Sequence, residues 1–229
     1  MLYAASVLPL QCADLYRLAY ERASPERQKK ADGYRFEKDR RLSLGVEMLL
    51  RYGLREANVP YDRLRIKTND AGKPVFTNAD LHFNVSHAED WAICAISDAE
   101  IGCDIEKIRS ADLRIAQRFF CPEEYHHIIE QASAVEQDLL FYRYWTLKES
   151  FIKATGLGMQ LPFNAFRIEL GERIRVSQSV DQREYFFTEF GDISGYCCAV
   201  CCVEEPLKVP LKVIDLHPQH IVSSAEPIP

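Results

Sequence analysis

The sequence has no long apolar run, and this absence excludes one broad class of protein. No segment approaches the roughly 18 consecutive apolar residues that a membrane-spanning helix requires. The N-terminus also lacks the charged and then apolar layout of a signal peptide. We therefore expect a cytoplasmic protein that does not contact a membrane. In that compartment its eight cysteines should be reduced, and a disulfide framework is not expected in so long a chain.

Negatively charged residues outnumber positively charged ones. Lysine and arginine number 28 against 34 aspartate and glutamate residues, which gives a formal net charge of −6. This balance argues against general nucleic-acid binding, although basic residues still cluster locally. The chain also lacks internal repeats and low-complexity tracts. With 47% apolar residues among 229, it can bury a substantial core as one large domain or two small ones.

The run Cys197-Cys198-Ala199-Val200-Cys201-Cys202 has the CxxC spacing that is found in zinc sites. However, the run is apolar and typical of a strand, in which Cys198 and Cys201 would point to opposite faces. Cysteines on the same face, such as Cys197 and Cys201, would lie about 13 Å apart. We therefore predict buried thiols rather than a zinc site at this position.

Two acidic residues near the middle of the chain are the first candidates for a functional site. The stretch Ile101-Gly102-Cys103-Asp104-Ile105-Glu106 is typical of a buried strand that ends in two acids. Alternate residues of a strand point to one face, so Asp104 and Glu106 are expected side by side. Such carboxylates repel each other unless a cation lies between them or one is protonated. Oxygen ligands of this kind suit Mg²⁺, which adds water and substrate phosphates to its shell.

A second candidate stretch runs from Trp145 to Lys153 and is predicted to be helical. Glu149 and Lys153 are four residues apart, so an acid and a base share one helical face. Taken alone, such a pair is usually a solvated surface pair that contributes about 0.3–0.5 kcal/mol to helix stability. An Asp-x-Glu sequence after a strand is also common, so neither motif alone indicates a site. The occurrence of both stretches in one chain favours a metal site that handles a phosphate.

Basic residues are concentrated in one N-terminal segment that follows a helix start at Ser24-Pro25-Glu26. An apolar stripe then predicts a long helix that ends near Gly53. A basic segment of this kind is either an exposed helix face or a binding site for a phosphate-rich ligand, and its composition leaves both open. The bases are Arg27, Lys29, Lys30, Arg35, Lys38, Arg40 and Arg41.

These stretches together resemble those of 4′-phosphopantetheinyl transferases of the surfactin-synthetase-activating (Sfp) type. The resemblance covers most of the chain, from about Ser24 to Val203. Two small departures, Cys103 in place of the more usual Val or Ile and Thr146 in place of the frequent Ser, remove no charge. The matching residues are Gly72-Lys73-Pro74, Phe83-Asn84-Val85-Ser86-His87, Ile101 to Glu106 and Trp145 to Lys153.

The resemblance implies an α/β (α+β) fold of two similar halves in a pseudo-twofold arrangement, with the active site in the cleft between them. Sequence periodicity alone predicts only a mixed chain with helices and strands in both halves. The expected divisions are an N-terminal half at 1–102 on the coenzyme A phosphate-binding side and a C-terminal half at 103–203 with the metal site and catalytic helix. A tail at 204–229 has no assigned role. Two halves in one chain also predict a monomer.

The implied activity is Mg²⁺-dependent transfer of 4′-phosphopantetheine from coenzyme A to a serine hydroxyl of an apo acyl or peptidyl carrier protein, with release of 3′,5′-ADP. By this resemblance Asp104, Glu106 and Glu149 hold Mg²⁺, with Mn²⁺ as an alternative. Glu149 is then the candidate general base, directly or through water, and Lys153 stabilises the pyrophosphate oxygens. The residues implied in binding coenzyme A are Arg27, Lys30, Arg41, Lys73, Ser86 and His87.

Two other functions are compatible with the same residues: a non-catalytic module that binds coenzyme A or a carrier protein, and a metal-dependent phosphohydrolase. Pure binding would not need three acids together with Lys153. A two-metal hydrolase would usually need further acids or histidines near the triad, and the sequence does not place them. The sequence does not specify whether the carrier serves fatty-acid, polyketide or nonribosomal-peptide synthesis.

The stretch from Ala111 to Tyr125 is a candidate surface for the carrier, because it lies between the two acidic motifs and combines basic and aromatic residues. Carrier proteins of this kind are usually acidic around the modified serine, so local basic and apolar contacts are expected. The residues in question are Arg114, Arg118, Phe119 and Phe120. The alternative, that at least one of the two phenylalanines belongs to the core, has about the same weight.

Overall fold

The computed structural model describes residues 1–204 and 210–216, and this part of the chain has an α+β fold, as predicted. Its helices are α1 (Ala13–Arg22), α2 (Pro25–Asp32), α3 (Glu37–Glu56), α4 (Leu113–Phe119), α5 (Pro122–Ile129) and α6 (Ala134–Thr155). Its strands are β1 (Leu2–Ser6), β2 (Ile66–Thr68), β3 (Pro74–Phe76), β4 (His82–Ala88), β5 (Trp91–Ser97), β6 (Ile101–Lys107), β7 (Arg167–Glu169), β8 (Arg175–Ser177), β9 (Phe186–Phe190), β10 (Tyr196–Cys202) and β11 (Lys212–Val213).

The N-terminal half is a four-stranded sheet, in the order β11-β1-β5-β4, covered by α3. Residues that alternate along each strand bury one face against α3, as Tyr3 and Ile96 do. The predicted end of the long helix near Gly53 is wrong, because α3 continues to Glu56. Gly53 is instead a contact point: a Cβ there would lie 2.6 Å from Ile96 and 2.7 Å from Tyr3.

The C-terminal half repeats this plan with a three-stranded sheet, in the order β6-β10-β9, covered by α6. Strand β6 pairs antiparallel with β10, so that Asp104 lies opposite Ala199. The predicted opposite orientation of the cysteines is confirmed. Cys198 packs in the cluster between the two sheets, and Cys201 packs in the cluster beneath α6. All eight cysteines are free thiols.

The uncovered faces of the two sheets pack against each other in a cluster of small and branched residues. Leu2 and Ile93 contribute from the N-terminal sheet, and Ile101, Cys103 and Val200 from the C-terminal sheet. Strands β4 and β6 meet where the halves join, since the Cys103 amide donates to Asn84 Oδ1 at 2.9 Å. The exact limits of the halves at 102 and 103 stay a prediction.

Part of the predicted tail belongs to the N-terminal core. Strand β11 pairs parallel with β1, and Leu211, Ile214 and Leu216 around it are buried. The remainder of that tail, residues 205–209 and 217–229, lies outside the described residues. Within the described residues, no helix combines the length and apolarity needed to cross a bilayer.

A buried ion pair fixes α5 against α6. The Lys148 ammonium lies 2.9 Å from the Glu124 carboxylate, and the two side chains are 0% and 1% exposed. Lys148 also donates to the carbonyls of Phe163 and Phe166, each at 2.8 Å. Glu124 accepts from the amides of Cys121 at 2.9 Å and Ile168 at 2.7 Å. Both charges are thus compensated by hydrogen bonds, which a buried pair requires.

We expect Glu124→Ala to destabilise the fold by about 3–5 kcal/mol, because it leaves the buried Lys148 ammonium without a counter-charge. Urea unfolding followed by circular dichroism measures this change. Glu123→Ala is the matched control on the same helix. Its partner Arg167 lies 3.2 Å away on the exposed surface, and such pairs contribute about 0–1 kcal/mol. Similar losses in the two variants would contradict a structural role for the buried pair.

Candidate active site

The polar centre of the cleft is an ion pair between β6 and α6. The Lys153 ammonium lies 2.6 Å from Asp104 Oδ1 and also donates to Ser86 Oγ at 3.0 Å and to the Cys103 carbonyl at 3.2 Å. Ser86 Oγ in turn donates to Asp104 Oδ1 at 2.8 Å. Three residues that were predicted from separate motifs therefore form one hydrogen-bonded group.

The backbone explains why these side chains meet. Asp104 and Ser86 lie on β6 and β4, which border the cleft from opposite halves. Asn84, two residues before Ser86, accepts a hydrogen bond at 2.9 Å from the Cys103 amide and so joins the two strands. Lys153 lies in the last turn of α6, which crosses β6 at Gly102. Each half thus contributes one part of the same site.

Glu106 and Glu149 are the two remaining acids of the predicted triad, and both have raised carboxyl pKa values. Burial raises the pKa of Glu106 from 4.5 to about 7, and the negative charge of Asp104 adds to the shift. The pKa of Glu149 is also raised, by burial and then by Asp104. Burial is the larger cause of each shift, but the Asp104 charge contributes to both, so the three carboxylates belong to one electrostatic site.

One atom of this site suits a cation. Asp104 Oδ2 is buried and has no hydrogen-bond partner among the described residues, which is costly for a charged oxygen. An oxygen-preferring ion such as Mg²⁺ would satisfy it, with Glu106 and Glu149 nearby. Within the described residues, no three His, Cys, Asp or Glu side chains are already arranged closely enough to hold an ion. The donor set fits Mg²⁺, and the ligand assignment stays a prediction.

A largely apolar cavity of about 820 Å³ opens beside these acids. Glu149 and Lys153 lie on its wall together with Trp145, Phe163 and Phe119. Its volume falls in the range that is typical of small-molecule sites. The outcome for the two candidate phenylalanines is clear: Phe120 is buried in the core, whereas Phe119 is 46% exposed.

The predicted phosphate-binding bases divide between two places. Arg27 and Lys30 lie on a second groove, of about 780 Å³, that also has Arg65 and Lys67 on its walls. Arg27 is held by the buried Glu47, whose Oε2 is 3.3 Å from its Nε. These bases do not line the apolar cavity, so the two openings differ strongly in charge.

His87 and Arg41 are not among the residues that line either of these two openings. Partial removal from water lowers the pKa of His87, and the positive charges of Lys153 and Lys30 lower it further. The charges of both the candidate site and the basic groove therefore act on the His87 imidazole. Arg41, on α3, has a buried Nε without a hydrogen-bond partner among the described residues. An anionic ligand would satisfy this donor.

Lys73 has a different environment from the one expected for a phosphate ligand. It lies on the cavity wall, but its ammonium donates to the Ile101 carbonyl at 3.0 Å and the Ala154 carbonyl at 3.4 Å. Burial lowers its pKa. A direct role of this side chain in phosphate binding stays a prediction.

The sequence patterns missed the roles of two residues. Asn84 lies inside a recognised motif, and its polar side chain at a buried strand position was the available signal. Trp145, which was interpreted only as part of the helical motif, contributes a hydrogen bond that stabilises ionised Glu106. Neither contact is predictable from spacing, because each joins elements far apart in the chain.

Comparison with known proteins gives the same family for both halves. Residues 100–201 match the model of the 4′-phosphopantetheinyl transferase superfamily, and residues 11–99 match that of the 4′-phosphopantetheinyl transferase N-terminal region. The chain is 37% identical over 180 residues to 4′-phosphopantetheinyl transferase gsp of Aneurinibacillus migulanus, covering 78% of this chain and 75% of that one.

The chain is also similar to a second curated relative, and part of it is similar to a solved structure. Identity to 4′-phosphopantetheinyl transferase Sfp of Bacillus subtilis is 34% over 182 residues, covering 78% of this chain and 81% of that one. Among solved structures, holo-[acyl-carrier-protein] synthase of Thermotoga maritima superposes with a TM-score of 0.40 and 15% identity, over 47% of this chain and 64% of that chain.

The raised pKa of Glu106 predicts a pH dependence of stability. Between about pH 4.5 and 7 the folded protein binds more protons than the unfolded chain, so stability falls as pH rises through this window. In the absence of divalent cations, Glu106→Gln should therefore raise the Tm at pH 8 by at least about 2–4 °C, the shift that ~1 kcal/mol produces at this size. At pH 4 the Tm should barely change.

Differential scanning calorimetry at the two pH values measures the effect. The control is Glu130→Gln, which changes an exposed glutamate at the end of α5 and should not alter the Tm at either pH. An equal Tm shift in Glu106→Gln at pH 4 and pH 8 would refute an ionisation effect.

Proposed function

Because this chain belongs to the 4′-phosphopantetheinyl transferase family, of the Sfp type, we propose that it transfers 4′-phosphopantetheine from coenzyme A to a serine hydroxyl of an apo acyl or peptidyl carrier protein. The observation that supports catalysis is the hydrogen-bonded group of Asp104, Lys153 and Ser86 beside two acids of raised pKa. The product that leaves is 3′,5′-ADP. A non-catalytic binder would not need this arrangement.

The proposed reaction requires a divalent cation, which Asp104, Glu106 and Glu149 would hold. When bound, Mg²⁺ would neutralise negative charge on the pyrophosphate. The unpartnered Asp104 Oδ2 supports this assignment. Mn²⁺ has similar ligand preferences and is the proposed alternative.

In the proposed step the carrier serine oxygen forms a bond to the β-phosphorus of coenzyme A, and the bond to the 3′,5′-ADP oxygen breaks. Glu149 accepts the serine proton, directly or through a water molecule. The Lys153 ammonium stabilises charge on the departing phosphate oxygens. Asp104 and Ser86 hold that ammonium in place.

Coenzyme A binding is proposed to use the N-terminal half. Arg27, Lys30 and Arg41 would bind the phosphates, and Ser86 and His87 would lie near the 3′-phosphate. The basic groove and the buried, unpartnered Arg41 Nε support this assignment. Since one chain supplies the bases and the acids, we further propose that the protein acts as a monomer, in the cytoplasm.

The transfer assay combines the protein with coenzyme A, Mg²⁺ and an apo carrier protein, and mass spectrometry then measures the carrier. A mass gain of one phosphopantetheine is expected for the wild type. Glu149→Gln should lower kcat by about 10²–10⁴-fold, the usual contribution of a general base. Glu130→Gln is the exposed control and should retain full activity.

The assay also separates the competing functions. Hydrolysis products of coenzyme A without carrier labelling would indicate a phosphohydrolase. Binding of coenzyme A without either product would indicate a binding module.

The carrier is proposed to dock at the mouth of the apolar cavity. Phe119 at the end of α4 is 46% exposed and Met159 is fully exposed, and both lie on the cavity wall. By contrast, Arg114 is already paired with Asp112, with its Nη2 2.6 Å from Oδ2. Apolar contact at Phe119 should therefore contribute more to carrier binding than the charge of Arg114.

Phe119→Ala should raise the carrier KM about tenfold, equivalent to ~1.4 kcal/mol, and should leave the coenzyme A KM unchanged. Val135→Ala is the matched control, because Val135 is 76% exposed but does not line the cavity. Steady-state kinetics with each substrate varied in turn measure both constants. An unchanged carrier KM in Phe119→Ala would exclude this surface as the docking site.

A further inference from the structure

The hairpin of β2 and β3 reaches from the N-terminal half to the catalytic helix. Its loop, residues 69–73, contacts the end of α6 through two side chains. Asn69 Nδ2 donates to the Gly156 carbonyl at 3.0 Å. Lys73 Nζ donates to the Ala154 carbonyl at 3.4 Å and to the Ile101 carbonyl at 3.0 Å. One loop thus binds the last turn of α6 and the first residue of β6 together.

The loop is shaped for this contact. Asn69 Oδ1 accepts from the amides of Ala71 at 3.0 Å and Lys73 at 2.8 Å, which fixes the turn internally. Gly156 and Gly158 follow α6 with positive φ values of 70° and 55°. A Cβ at Gly156 would lie 3.2 Å from Asn69, and a Cβ at Gly158 would lie 3.1 Å from the Ala71 carbonyl. The close fit thus involves Asn69 and Ala71 of the loop.

The carbonyls of Ala154 and Gly156 at the end of α6 need hydrogen-bond donors from outside the helix. The last carbonyls of an α-helix receive no hydrogen bond from an amide of the same helix. A cation near them also interacts favourably with the helix dipole. The carbonyl of Ala154 immediately follows Lys153 in the chain, and Ile101 precedes Asp104 by three residues. Movement of either element would separate the Lys153 ammonium from the Asp104 carboxylate.

We propose that Asn69 and Lys73 are positioning residues, which hold the end of α6 and the start of β6 so that Lys153 pairs with Asp104. This inference depends on the proposed transferase function. It gives Lys73 a role that acts through the two carbonyls, rather than through a coenzyme A phosphate. The two roles differ in their kinetic signature, because positioning affects the chemical step whereas a phosphate contact affects coenzyme A binding.

Two variants separate these roles. Lys73→Met removes the ammonium but keeps a side chain of similar length. Asn69→Asp keeps the oxygen that accepts from Ala71 and Lys73 but replaces the donor to Gly156 with a second oxygen. Asp70→Ala, an exposed residue in the same loop, is the matched control. If Lys73→Met does not fold, Asn69→Asp still tests the proposal.

We expect both variants to lower kcat by roughly 10–100-fold, since small displacements of reacting groups have effects of this size. The coenzyme A KM should change by less than about twofold, and Asp70→Ala should match the wild type. The proposal is overturned if Lys73→Met raises the coenzyme A KM in a salt-dependent manner at normal kcat while Asn69→Asp behaves as wild type.

A second measurement does not depend on the transfer reaction. Hydrogen exchange followed by mass spectrometry should show faster exchange in both variants in residues 69–73 and in the end of α6, with unchanged exchange in β1 and β5. Wild-type exchange rates in those segments would refute the proposed positioning role of Asn69 and Lys73. If the wild type itself fails to transfer, the proposed function is wrong, and the exchange data still decide whether the loop holds α6.

Discussion

The candidate active site depends on a backbone contact at Gly102. A Cβ at this position would lie 2.1 Å from the Ser150 carbonyl oxygen and 2.3 Å from the Ala154 nitrogen, so only glycine allows β6 to cross α6 at this distance. Because alternate strand residues share a face, Asp104 then points in the same direction as Gly102, toward α6. The Asp104–Lys153 pair, at 2.6 Å, follows directly from this crossing.

This pair determines the charge of the site. The sequence suggested that Asp104 and Glu106 repel each other, but the Lys153 ammonium balances Asp104. Glu106 and Glu149 nevertheless have raised pKa values, first because both are partly buried and then because the Asp104 carboxylate is close to both. Three carboxylates and one ammonium, all ionised, leave two negative charges in excess. A divalent cation would neutralise this excess. The proposed Mg²⁺ site is therefore supported by the charge of the site as well as by the unpartnered oxygen of Asp104.

Much of the architecture was predictable because local patterns determine it. Ser24 caps α2 as its sequence indicates, and the buried strand predicted from Ile101 to Glu106 is present as β6. The errors have a common physical cause, which is contact between distant segments. Gly53 was interpreted as a helix end but packs against Tyr3, and β11 adds to the N-terminal sheet from the predicted tail. The two carbonyl partners of the Lys73 ammonium were equally hidden, since a basic side chain in a loop more often faces solvent.

Two openings of the protein differ in character. Arg27 and Lys30 place positive charge on a groove of the N-terminal half, whereas Trp145 and Phe163 line an apolar cavity to which both halves contribute. A ligand with phosphates at one end and an uncharged arm at the other would be oriented by this difference alone. With a net charge of −6, the protein cannot attract such an anion as a whole, so the attraction must be local. Glu149 and Lys153 lie on the wall of the apolar cavity, whereas Arg27 and Lys30 lie on the basic groove, so a coenzyme A molecule bound as proposed would have to reach from one opening to the other.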